Sequence, residues 1–295
     1  MKKIYILISV LFLSIIIIVT CCFYFGSKMD KGIQGKITKA NAKCGYYLHK
    51  DIQKRILGIH YVDDSNLQEV IKILPFINIP YSIGISHATL NQSLIIELSQ
   101  NHNMTALALI DCQYSPDINI LEYLKSNRNL QELGLSFRNS DIDLSINFLT
   151  AFSQISILRI TATNRISNKD FECITNLHLL NLDMTASHIS TSQISTIVKC
   201  NFLKYLSLSQ CRFENTNDIK QLVKIKSLEI LDLSMCDIDK TIFDSFIGNS
   251  TLKKIIVNGT KCTEKDLELI DSKLKGFPAV IGTPVLVQGN CGEKD

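Results

Sequence analysis

Aliphatic residues recur along this chain in two superposed rhythms. Over short runs they alternate with polar or small residues, as in Leu231-Asp232-Leu233, and a period of two places both leucines on one face of a strand. Between one run and the next the pattern returns every 22 to 26 residues from position 80 onward. The alignment is L-x-x-L-x-L-x-x-C/T. Its strongest members are Leu203/Leu206/Leu208/Cys211 and Leu228/Leu231/Leu233/Cys236. Met104/Leu107/Leu109/Cys112, Ile155/Leu158/Ile160/Thr163, Leu177/Leu180/Leu182/Thr185 and Leu252/Ile255/Val257/Thr260 follow the same form. Leu130/Leu133/Leu135 fits until Arg138, Pro80/Ile83/Ile85/Ala88 is weaker, and Ile56/Ile59/Tyr61 reads as a degenerate first turn.

Between these runs the apolar spacing changes. In 237–250, Ile242, Phe243, Phe246 and Ile247 share one helical face, and Ile219, Leu222 and Val223 do the same in 218–227. Asp117 after Pro116 marks a helix start before Ile118. Each unit is therefore one strand and one return helix. No such unit buries its apolar face alone, so neighbours must stack into a solenoid.

The period and the L-x-x-L-x-L-x-x-C/T string resemble the leucine-rich repeat family, over roughly 52–276. Cysteine or threonine at the last position is similar to the cysteine-containing and ribonuclease-inhibitor-like subtypes. The segment 257–270 (VNGTKCTEKDLELI) looks like the GT-x-[VC]-T-x-x-x-L turns of bacterial arrays. The resemblance implies an α/β fold: a curved right-handed stack of strand-helix units, with a parallel sheet on the concave face and helices outside, used for protein binding.

Physics accounts for the cysteine independently. After the second inward leucine the chain turns, and the next inward side chain lies beneath the turn. A compact apolar thiol suits that space, and a threonine hydroxyl there can satisfy nearby backbone. Cys112, Cys211 and Cys236 thus read as packing residues. The ten cysteines contain no C-x-x-C and follow the repeat phase, unlike a zinc site or a disulfide framework. That usage suits a reducing compartment.

The amino-terminal residues differ in kind. Between Lys3 and Lys28 there is no charge, and Ile4 to Phe25 is mainly apolar. As a helix this run would span about 33 Å, enough for a hydrocarbon core of about 30 Å. It ends in Phe23-Tyr24-Phe25, an interfacial aromatic anchor, with no small-residue cleavage site. The expected organisation is a transmembrane helix or uncleaved signal anchor at 1–26, a juxtamembrane stalk and cap at 27–51, about eight repeats at 52–276, and a cap and tail at 277–295. Cys21 and Cys22 are open either to lipidation or to plain burial as apolar thiols. Lys2-Lys3 before the run favours export of the repeats. The basic flank at Lys28, Lys31, Lys36, Lys39 and Lys43, like the cysteine usage, opposes it. The reading taken is a single-pass membrane protein with its repeats on the exported side.

Bulk numbers narrow the function. The chain has 295 residues, 46% hydrophobic and 20% charged, so it can fill a long core. A net charge of +3 with scattered lysines and no tryptophan gives no nucleic-acid footprint. There is no P-loop, G-x-G-x-x-G or H-E-x-x-H. Gly84-Ile85-Ser86-His87-Ala88 lacks the last glycine of a nucleophile elbow. No enzyme activity, cofactor, metal or small-molecule substrate is expected.

What remains is the outward side of the strands. The third positions read Ser82, Ala106, Glu132, Ile157, Leu179, Tyr205, Ile230 and Lys254, and the fifth Gly84, Ala108, Gly134, Arg159, Asn181, Ser207, Asp232 and Ile256. Ile157, Leu179, Tyr205 and Ile230 would form an apolar ridge across four neighbouring strands, flanked by Arg159, Asn181, Asp183 and Asp232. An apolar centre with a tyrosine and a polar rim is a common interface composition. The expected function is a membrane-anchored scaffold that holds a protein partner on this concave face. Two alternatives are an intracellular adaptor similar to the substrate-recognition arm of F-box/leucine-rich repeat proteins, and an enzyme on a solenoid platform. The first lacks an F-box-like segment before the repeats. The second lacks a set of acid, base and nucleophile.

Overall fold

The computed structural model describes residues 31–49, 54–114, 118–136, 146–161, 166–274 and 279–281. The expected membrane span at 4–25 lies outside them, as do Cys21 and Cys22 and the tail beyond 281. Among the described residues no helix is long and apolar enough to cross a membrane.

One strand per repeat builds a single sheet of eleven strands. β1 (Lys43–His49) and β2 (Lys54–Val62) form an antiparallel hairpin. Every later strand joins in parallel: β3 (Tyr81–Ser86), β4 (Met104–Ile110), β5 (Glu132–Ser136), β6 (Ile157–Thr161), β7 (Asn181–Asp183), β8 (Tyr205–Ser207), β9 (Ile230–Asp232), β10 (Lys254–Ile256) and β11 (Ala279–Ile281). The sheet order is the chain order, so successive coils stack one on the next as an α/β solenoid. The sheet continues into the segment read as the carboxyl cap, because Ala279–Ile281 pairs in register with Lys254–Ile256. At the other end, Ile33 and Ile37 of a helix covering 31–39 close the core beside the hairpin.

The inward rungs Leu133, Leu158, Leu182, Leu206, Leu231 and Ile255 are all buried and belong to one continuous core. Strands lie about 4.8 Å apart while α-helices are about 10 Å across, so coils approach more closely on the strand side and the sheet becomes the inner face. Many return arms are tighter than an α-helix. Thr216–Lys224 and Lys240–Phe246 are 3₁₀ segments. With three residues per turn, Phe243 and Phe246 stack inward and Ile247, expected on the same face, turns out to solvent. Buried amides tie the coils: Asn127 Nδ2 donates to Asn101 O at 3.0 Å and Met104 O at 3.2 Å.

Among the described residues of the coils from 80 onward, the register differs from the expected one at 177–184. In LHLLNLDM (177–184) the inward set is Leu179, Leu182 and Met184, with Ser187 beneath the turn, and not Leu177/Leu180/Leu182/Thr185. Leu179 is 1% exposed and Leu180 is 40% exposed. Leu177 is also buried, after the last turn of the preceding 3₁₀ segment, Glu172–Asn176. The pairing Ile157–Asn181–Tyr205 fixes this register. A slip of two keeps every strand residue on its face, so the local pattern tolerates both readings. Only the neighbouring coils discriminate.

A second feature recurs where the chain leaves the sheet. His87, Asp111, Ala186, Gln210, Met235 and Gly259 have φ between 49° and 65°. Each immediately precedes the buried residue under the turn: Ala88, Cys112, Ser187, Cys211, Cys236 and Thr260. The left-handed bend directs the main-chain amide to the next coil. Ala186 N donates to Ser209 O, Gln210 N to Ser234 O and Met235 N to Asn258 O. Such a bend costs roughly 1–2 kcal/mol in a non-glycine residue, and the repeated inter-coil hydrogen bond offsets it. The first turn is irregular for a related reason. A bulge between Ile59 and Val62 lets Val62 take the inward place expected of Tyr61, which sits at φ 60° with its ring in solvent.

Candidate functional site

Alternation along β5 to β10 determines which side chains face the concave surface. Cross-strand pairing aligns Glu132, Ile157, Asn181, Tyr205, Ile230 and Lys254 in one lane. Gly134, Arg159, Asp183, Ser207, Asp232 and Ile256 form the next. Seven of the eight candidate residues therefore stand on this face: Ile157, Arg159, Asn181, Asp183, Tyr205, Ile230 and Asp232. Leu179 does not, because the two-residue register difference makes it a core rung. Asn181 takes its place between Ile157 and Tyr205, and Asp183 moves one lane, beside Arg159. The ridge is thus interrupted by an amide. It is also less open than expected, since Ile157 is only 2% exposed. Its neighbours on the face are Glu132 across the strand and Arg159 two residues on. These two are bound to each other beside it.

The polar rim is organised by charge. Arg159 Nε lies 2.7 Å from Glu132 Oε1, and Nη1 lies 3.4 Å from Asp183 Oδ2. Partial burial by itself would depress the guanidinium, but Glu132 and Asp183 outweigh it and raise it above its ordinary value. Asp183 Oδ1 accepts from the Thr185 amide at 2.9 Å and its hydroxyl at 2.6 Å, and that hydroxyl meets Ser207 Oγ at 3.2 Å. Asp232 Oδ1 accepts from the Ser234 amide at 2.9 Å. Tyr205 stands half-buried among these groups. Burial first, then the Asp232 and Asp183 charges, push its phenol above the ordinary tyrosine value, against the opposing effect of Ser207 and Arg159.

The first coils present a different surface. Gly84, with Ser86, His60, Tyr61 and Ile110, lines a shallow basin of about 420 Å³. The Tyr61 ring, raised by the bulge, lies 4.4 Å from the Lys43 ammonium. No sequence pattern marked this basin, because the bulge that lifts Tyr61 is a property of the pairing with β3. His87, which follows Ser86 in the chain, is one of the left-handed residues.

Candidate chemistry elsewhere is sparse. Among the described residues no cluster of three His, Cys, Asp or Glu side chains is placed to hold a metal ion. The described cysteines are free thiols, and all but Cys44 are buried. Burial pushes Cys173, Cys200, Cys211 and Cys236 up to about 12, which keeps them protonated and unreactive. Cys112, Cys211 and Cys236 do more than fill space. Each donates to a carbonyl of the preceding coil, to Ile85, Met184 and Leu208 at 3.5, 3.1 and 3.0 Å respectively.

No protein-family model matches the chain, and no curated protein matches it. Among solved structures the chain is similar to internalin C2 from Listeria monocytogenes. The identity is 16%, the TM-score is 0.47, and the match covers 85% of this chain and 92% of that one.

Proposed function

We propose that this protein is a membrane-anchored scaffold that binds a protein partner through the concave face of its central and later coils, without catalysis. The observation that carries the reading is the composition of one patch. Tyr205 and Ile230 are adjacent on β8 and β9 and half-buried, and Asn181, Asp183, Asp232 and Arg159 surround them on the same sheet face. A tyrosine and an aliphatic residue, ringed by charges, form an arrangement that favours association over solvation. The uncharged run from Ile4 to Phe25 supports retention in a membrane, with the repeats on the exported side.

The test uses the full chain as bait, unaltered and as Tyr205→Asp, in parallel with alkaline extraction of membranes. A partner retained by the unaltered chain and lost with Tyr205→Asp supports the binding face. Partners indifferent to that substitution overturn it. Release of the chain by alkaline extraction overturns the anchor and leaves the binding face standing.

A further inference from the structure

The long sheet ends differently at its two edges. At the carboxyl end β11 is three residues long. At the amino end β1 is seven residues long and pairs with β2 in seven consecutive steps without a bulge. Its other side has no partner strand among the described residues. In an antiparallel pair, alternate residues turn both main-chain groups away from the partner, so about half of the β1 amides and carbonyls face outward. Soluble proteins usually blunt such an edge by keeping it short, bulging it, or placing proline or charge on it. KCGYYLH (43–49) contains no proline, and Lys43 is its one standing charge. The helix over 31–39 is engaged elsewhere. Ile33 and Ile37 enter the core, and Lys36 Nζ lies 5.2 Å from the centre of the Phe76 ring, on the first return arm.

We propose that the outer edge of β1 is a strand-addition surface for β1 of a second copy of this chain, antiparallel about a two-fold axis at Tyr46. That register is the one that uses all seven residues. It sets Lys43 of each copy opposite the partner's His49, so no lysine meets a lysine. The hairpin already ends in the same combination twice, Lys43 with His60 and His49 with Lys54. Main-chain hydrogen bonds hold an added strand, and the side chains at its ends choose its register. A two-fold axis between antiparallel edges stands perpendicular to the sheet. The two sheets therefore run on as one, and both concave faces point the same way. Self-association does not depend on the binding reading, but it multiplies its effect. Two copies of the face carrying Tyr205 and Ile230 turn one weak contact into a bivalent one.

The experiment uses the full chain in detergent micelles, with its protein mass followed by sedimentation equilibrium. The expected result is a concentration-dependent dimer. Cysteine linkage then reads the register, in a background where Cys21, Cys22, Cys44 and Cys291 are replaced by serine. Tyr46→Cys is expected to give a disulfide-linked dimer on mild oxidation, because residue 46 stands opposite itself with Cα atoms about 4.5–5.5 Å apart. Leu48→Cys is expected to stay unlinked, since its own copy lies four residues along the strand, about 13 Å away. Gly45→Pro and Tyr46→Pro complete the test. Adjacent amides in a strand point to opposite sides, so one proline breaks a bond to β2 and the other only blocks the outer edge. The second is expected to keep the melting temperature and to weaken dimerisation about tenfold or more. A monomer at every concentration overturns the proposal. So does a dimer that the tolerated proline leaves unchanged, or one linked through Leu48→Cys and not through Tyr46→Cys.

Discussion

The thiol of Cys236 donates to the main-chain carbonyl of Leu208, 3.0 Å away and one full coil earlier. Cys211 makes the equivalent bond to Met184 at 3.1 Å. At these two turns the cysteine is therefore a donor as well as a small apolar filler, and at a later turn the Thr260 hydroxyl donates to the Val257 carbonyl. Cys236→Ala is expected to cost about 1–3 kcal/mol, because it leaves a small void and removes one of the two hydrogen bonds that the Leu208 carbonyl accepts, the other coming from Cys211 N. Cys236→Ser keeps the donor and is expected to cost less. Urea unfolding midpoints compare the two. Serine proving as damaging as alanine would assign the position to packing alone.

Leu179 and Leu180 provide the sharpest test of register. Leu179→Ala is expected to cost about 2–5 kcal/mol, the usual range for a fully buried leucine. Leu180→Ala, at a position largely open to water, is expected to change stability by about 0.5 kcal/mol or less. The reversed order in denaturant titrations would restore the Leu177/Leu180/Leu182 register and return Leu179 to the concave lane.

Gln210 tests the left-handed bend. It is exposed, its φ is 59°, and only its amide is engaged with the next coil. Gln210→Gly is expected to raise the melting temperature, by relief of roughly 0.5–1 kcal/mol net of glycine's greater freedom in the unfolded chain. Gln210→Val is expected to lower it, since branching at Cβ worsens the left-handed region. Differential scanning calorimetry on the pair gives the sign directly.

Asp266 links the last helix to pH. Its carboxylate accepts from Lys240 Nζ at 2.7 Å and from the Thr263 hydroxyl and amide, which hold it well below its ordinary value of 3.8, at about 2. The lowered folded value means that its contribution is complete above about pH 4 and disappears as pH falls through about 2. Amide exchange in Glu264–Leu274 is expected to accelerate over that window. In Asp266→Asn the acceleration should be absent, with faster exchange already at pH 5. Identical profiles for the two proteins would mean that the ion pair with the preceding coil contributes nothing.

Most of the solenoid was legible because its core is written locally. A period of two within each run, and a period near two dozen between runs, identify Leu206, Leu208, Leu231 and Leu233 as rungs without reference to any other part of the chain. Alternation also placed Tyr205, Ile230, Arg159, Asn181, Asp183 and Asp232 on the outward side, because facing depends only on parity. The irregular spacing around Leu177, 22 residues before it and 26 after, was the one sign of a misassigned start. Beginning at Leu179 makes both intervals 24.

Tertiary structure decided what depends on the neighbouring coil. Which of two equivalent leucines enters the core is set by pairing with β6 and β8, since a slip of two leaves the local pattern unchanged. The left-handed residues carry no common side chain, so the position is revealed by the hydrogen bond that His87, Asp111, Ala186, Gln210 and Met235 each make to the next coil. The burial of Ile157, the bulge that raises Tyr61, and the bridge from Arg159 to Glu132 and Asp183 arise from segments more than twenty residues apart. Sequence determined which residues form the wall and which way they face. Stacking determined their lane, their exposure and the charges that meet across it, because those quantities belong to contacts between coils.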